Sequence, residues 1–128
     1  MEITWYGLGC FSIVERGYPL VLVDPFDEQV AGLALPPLQA DLIAMSRPME
    51  GRGSERFPGL RGGARVLAAP GEYEVGGLFI TAIAAPRSRK GGAESGQTLL
   101  HTFDFGGVTV CHLGEASALP TQSQLEAL

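Results

Sequence analysis

The stretch Ala40-Asp41-Leu42-Ile43-Ala44-Met45-Ser46-Arg47-Pro48-Met49-Glu50-Gly51-Arg52 decides how the chain is read. Leu42 to Met45 is a short apolar run behind an acid, which is the pattern of a buried strand. Ser46 and Pro48 then favour a turn out of it. A buried strand therefore hands Arg47 and its neighbours to a loop.

Working outward, Glu2 to Tyr6 alternates polar and apolar residues and is rich in β-formers. Gly7-Leu8-Gly9 breaks it, Cys10 to Val14 resumes, Arg16-Gly17 turns, and Leu20 to Val23 is apolar throughout before Asp24-Pro25-Phe26. These features predict a β-meander. Asp27 to Gln39, with Pro36-Pro37, is predicted as a loop too broken for a good helix. Gly51 to Gly63, rich in arginine and glycine, is expected to be mobile, with any helix short. Beyond it, Arg65 to Ala69 reads as a strand. Pro70 to Ile80 reads as a hairpin turned by Gly76-Gly77, since glycine tolerates positive φ at both central positions. Phe79 to Ala85 is a strand, Pro86 to Gly92 a polar loop, and Thr98–Phe105 with Val108–Leu113 a second hairpin across Gly106-Gly107. Thr121-Gln122-Ser123-Gln124 has the pattern of a capping box opening a last helix to Leu128.

With 128 residues, one domain spanning 1–128 is expected. Hydrophobic content of 45% against 18% charged residues fits a globular chain and excludes a disordered tail. The net charge of -5 argues against general nucleic-acid binding. Eight of the nine basic residues nevertheless fall between Arg47 and Lys90, as either a local patch or scattered solvated side chains. Cys10 and Cys111 sit in apolar strand contexts outside any Cys-x-x-Cys pair, so both are expected as buried free thiols. No secretory signal precedes the first strand and no apolar run approaches bilayer length, which makes the cytoplasm the expected location and a membrane partner unexpected.

The central stretch resembles the signature strand and loop of the metallo-β-lactamase superfamily, where Ser-His-x-His-x-Asp-His holds one or two divalent ions. Here Ser46 is kept, while Arg47, Met49, Gly51 and Arg52 stand at the ligand positions. Trp5-Tyr6-Gly7-Leu8-Gly9-Cys10-Phe11 with Asp24-Pro25-Phe26 is similar to the opening Trp-x-Gly-His-Ser-Cys-Phe and Asp-Pro of the ascorbate-6-phosphate-lactonase-like branch, with Leu8 at the His position. By that resemblance Asp24 buttresses the site; alternatively it is an ordinary strand-to-turn residue. Pro70-Gly71-Glu72-Tyr73-Glu74-Val75-Gly76-Gly77-Leu78-Phe79-Ile80 is similar to the branch's Pro-Gly-Glu-Tyr-Glu-x-Gly-Gly-x-x-Ile. Glu72 and Glu74 share one strand face, and a solvated face is favoured over a catalytic acid pair. Val110-Cys111-His112-Leu113-Gly114-Glu115 is similar to a strand end, His-x-Gly-Asp, whose acid bridges the metals; Glu115 replaces that acid. His101, mid-strand, reads as an ordinary sheet-face histidine.

The resemblance implies an α/β fold of α+β type. By the same resemblance the chain is expected to be the β-rich N-terminal half of a four-layer αββα sandwich, with mostly antiparallel or mixed sheet and few short helices. Such a half leaves an apolar sheet face open, so a two-fold homodimer is expected, whether the chain is a natural half or a piece of a longer protein. Catalytic zinc needs about three protein ligands, and only Asp24, His112 and Glu115 remain as candidates. Fixed charge at Arg47 and Arg52 opposes a divalent ion. The first expectation is therefore a binding or assembly protein without cofactor, its hydrolase site degenerate, with Arg47, Arg52, Arg87 or Arg89 holding a small anion. The alternative is a zinc- or manganese-dependent hydrolase, of lactonase or phosphoester type, with a rebuilt or dimer-shared site.

Overall fold

Strand-forming runs dominate the sequence, and strands dominate the computed structural model, which describes residues 1–47, 60–61, 63–88 and 94–128. The chain forms two compact units, Met1–Met45 with Met49–Leu67, and Ser46–Pro48 with Ala68–Leu128.

The first unit contains β1 (Glu2–Gly7), β2 (Cys10–Val14), β3 (Val21–Val23), α1 (Glu28–Ala31), β4 (Leu38–Gln39), β5 (Leu42–Ala44), β6 (Leu60–Arg61) and β7 (Arg65–Leu67). Its main sheet runs β1-β2-β3-β5-β7. The meander pairs are antiparallel, whereas β3–β5 and β5–β7 are parallel. All six side chains of β3 and β5 are buried, as unbroken apolar runs require. Asp41, the acid ahead of β5, accepts from Leu20 N at 2.8 Å through its carboxylate, and its own N–H donates to Leu20 O at 3.0 Å. It thereby sets where β5 starts against β3.

Two features depart from expectation. The segment expected to be a loop contains the single turn α1: the Asp27 carboxylate caps Gln29 N at 2.9 Å, and Gly32 ends the turn in the left-handed region. Leu60–Arg61 pairs in parallel with Leu38–Gln39, a contact 22 residues apart with no local signature. The remainder of the segment expected to be mobile, 51–59 and 62, lies outside the described residues.

The second unit contains β8 (Gly71–Val75), β9 (Leu78–Ser88), β10 (Glu94–Asp104), β11 (Thr109–His112) and α2 (Gln122–Ala127). Its sheet, β11-β10-β9-β8, is antiparallel throughout. The β8–β9 turn uses Gly76 and Gly77 at φ 54° and 81°, the two positive angles expected of a two-residue hairpin turn. Strand β9 runs on through Pro86, Arg87 and Ser88, which the sequence placed in a loop. Pro86 lies opposite Gln97, where the register with β10 shifts, and an irregular pairing tolerates a residue without an N–H. Helix α2 has the full capping box at Thr121 and Gln124.

One cysteine contradicts the sequence reading, and one histidine is more deeply buried than its strand position announces. Cys10 is buried, but Cys111 is exposed, because it alternates with the half-buried Val110 and His112 along β11. His101 is fully buried, stacked on Phe103 with ring centroids 6.0 Å apart, and neither ring nitrogen has a hydrogen-bond partner among the described residues.

Candidate functional site

Ser46 and Arg47 leave β5 and group with the second unit. The buried Ser46 carbonyl accepts from Leu99 N at 2.7 Å and from Thr98 Oγ1 at 3.2 Å. The same Thr98 oxygen accepts from Glu115 N at 3.0 Å. One buried hydroxyl on β10 thus pins two backbone segments that are far apart in sequence. Gly114 makes the approach close enough. A Cβ on it would lie 2.4 Å from Thr98 Oγ1 and 2.7 Å from Leu99 O, and its φ is +56°. Only glycine fits there without displacing backbone.

The pinned segments present opposite charges. Arg47 donates to Glu115 Oε1 from Nε, at 2.9 Å, and from Nη2. Arg87, near the end of β9, places Nε 3.0 Å from Glu115 Oε2. Two guanidiniums therefore bracket one carboxylate, each holding a different oxygen. Arg87 is mostly covered, with 14% of its side chain exposed, against 57% for Arg47 and 40% for Glu115. The cluster is partly exposed and carries a net charge of one positive unit.

Of the candidates read from sequence, the fold brings Arg47, Arg87 and Glu115 together, with His112 three residues before Glu115 in the chain. The Nδ1 of His112 accepts from Gly114 N at 3.2 Å, which holds the turn that delivers Glu115. Leu8 and Asp24 belong to the first unit, where both adopt left-handed backbone, at φ 51° and 44°. Leu8 is exposed between β1 and β2, and Asp24 N donates to Ala44 O at 2.9 Å. Met49, Gly51, Arg52 and Arg89 lie outside the described residues. Glu72 and Glu74 are exposed on β8, as a solvated strand face requires. Ser46, Thr98 and Gly114 were missed as positioning residues. Gly114 was visible within a quoted motif, but nothing local to Thr98 announces a partner 52 residues away.

The chain matches the family model described as Beta-lactamase superfamily domain over residues 2–128. It belongs to the metallo-β-lactamase superfamily. Among solved structures, a Thermotoga maritima protein, named for the Zn-dependent hydrolases of this superfamily, superposes with a TM-score of 0.74 at 28% identity. The match covers 97% of this chain and 54% of that one, so the chain spans about half the relative's length. No curated protein matches the sequence. A mostly stranded α/β chain, with two short helices among the described residues, accords with a half domain of the superfamily.

The superfamily implies a divalent metal, and the described residues do not fit one. No three His, Cys, Asp or Glu side chains among them are grouped as a metal site. Glu115 is already bracketed by two fixed positive charges, and a zinc ion needs about three donors of the opposite character.

Proposed function

We propose that this superfamily chain is a non-catalytic binding protein that takes a small oxyanion on arginine side chains and assembles as a homodimer. The observation that supports the reading is the convergence of Arg47 and Arg87 on Glu115. Guanidiniums held by fixed backbone, one of them largely covered, suit bidentate recognition of phosphate or carboxylate. In this reading the positions at which the lactonase-like branch carries metal ligands have changed to Arg47, Met49, Gly51, Arg52 and Leu8, and a positive side chain replaces the ion. Arg52 and Arg89 belong to the same proposal on sequence grounds. Assembly is supported by exposed apolar side chains on β1, Ile3 and Trp5 at 51% and 65%, and by the half-length match.

The test is metal content and mass in solution on one purified sample, followed by thermal shift with phosphate, sulfate and citrate. The reading expects a metal-poor dimer stabilised by at least one oxyanion. No shift with any anion sinks the binding role, and a monomeric mass sinks the assembly. A second reading, a metal-dependent hydrolase completed by a second copy or by further chain, is favoured by the name of the Thermotoga maritima relative. Stoichiometric zinc or manganese after purification would establish it over the first.

A further inference from the structure

Glu115 occupies the place an anionic ligand would take. Its two oxygens are held by different guanidiniums, from the β5 exit and from β9. Its backbone is fixed by Thr98 and by the close approach of Gly114, so the carboxylate is presented to both arginines from a fixed anchor. The side chain is nonetheless 40% exposed, and Arg47 57%, so neither needs to leave the core for the pair to open. Exposed ion pairs of this kind are weak. Arg87, at 14%, stays covered and forms the fixed wall.

We infer that Glu115 is a tethered competitor for the anion seat, and that the ligand is a dianionic oxyanion of the phosphate or phosphate-monoester class. The inference rests on the binding role proposed above and adds its ligand class and its regulation. Charge decides the class. With Glu115 in place the cluster is singly positive; once Glu115 swings out, two guanidiniums face the ligand, and a dianion neutralises both. A tethered carboxylate acts at high effective concentration, so it lowers apparent affinity by the fraction of time it holds the seat. Binding is an exchange of one carboxylate for one phosphate on the same pair of arginines, with no bond made or broken.

The test is calorimetric titration of the full chain with inorganic phosphate in low-salt chloride buffer. Glu115→Gln is expected to bind about tenfold tighter than wild type, and Glu115→Gln with Arg87→Ala to lose the gain. If wild type binds and Glu115→Gln binds no tighter, the competitor role is overturned while the anion role survives. If neither protein binds at tens of millimolar phosphate, both fall. Side-chain NMR of wild type covers the case in which the variant fails to fold. Phosphate is expected to shift the Nε–Hε signals of both arginines together with the Glu115 carboxyl carbon. Arginine shifts without the carboxyl shift would place phosphate beside Glu115, not instead of it, and overturn the inference.

Discussion

At the scale of single residues, His101 makes the sharpest forecast. Burial, and secondarily the charge of His112 across the strand pair, push its imidazole down to about 4 from the usual 6.5. Between those values the unfolded chain binds a proton that the folded chain excludes, so stability rises with pH. The contribution is present above about pH 6.5 and is lost as pH falls toward 4, by roughly 3 kcal/mol in all. Urea unfolding at pH 7 and pH 5 should show about 2 kcal/mol of that loss in wild type. His101→Leu should flatten it while holding or raising stability at pH 7, because two buried nitrogens without partners disappear. Gly114→Ala should cost about 3 kcal/mol or more, from a left-handed backbone and a clash with the Leu99 carbonyl. Leu8, also left-handed but exposed, should behave oppositely: Leu8→Gly should stabilise by about 0.5–1 kcal/mol in the same assay. The two cysteines separate as well. Cys10 is fully buried, with its thiol pushed up to about 12 by burial and by nearby Asp24, whereas Cys111 is exposed. Native labelling with a thiol reagent should count one fast cysteine, abolished by Cys111→Ser.

At the scale of elements, the short helix α2 is held at two points. Thr121 and Gln124 close its first turn reciprocally, and Gln124 Nε2 also donates to Ala84 O on β9 at 3.1 Å. Gln124 therefore serves the cap and the docking at once. Thr121→Ala should cost about 1 kcal/mol through the cap alone. Gln124→Ala should cost more, because it also releases the helix from β9, and hydrogen exchange along 122–127 should rise further in it than in Thr121→Ala. An equal rise in both would mean that the bond to β9 contributes nothing.

At the scale of the whole molecule, the chain matches the superfamily model over residues 2–128 and spans about half the length of the Thermotoga maritima relative. Among the described residues, Ile3 and Trp5 on β1 leave apolar surface exposed. Sedimentation at micromolar concentration should give twice the 13.5 kDa chain mass, and Trp5→Glu should return it to the single-chain value. A monomer in wild type would remove the assembly role without touching the arginine cluster.

How much was legible beforehand follows from how local each signal is. The buried β5, the meander, the Gly76-Gly77 hairpin and the capping box could all be read from the chain. Apolar runs, paired glycines and a Thr–Gln spacing act through neighbours a few residues apart. The same locality explains the misreadings. Strand β9 outran its prediction because Pro86 is tolerated at a register shift that β10 creates, and α1 formed on a single Asp cap. Cys111 was misplaced, and the full burial of His101 went unread, because strand context says that a face exists, not which face the sheet covers. The arginine cluster was half legible: Arg47, Arg87 and Glu115 were each singled out by type and position. Their convergence was not, since Arg47 and Glu115 are 68 residues apart. Sequence by itself determined most strands of the two larger sheets and which charges lie near their ends. The tertiary structure alone decided that Thr98 and Gly114 bring two of those ends within hydrogen-bond reach, because that depends on strand register and on the space a missing Cβ leaves.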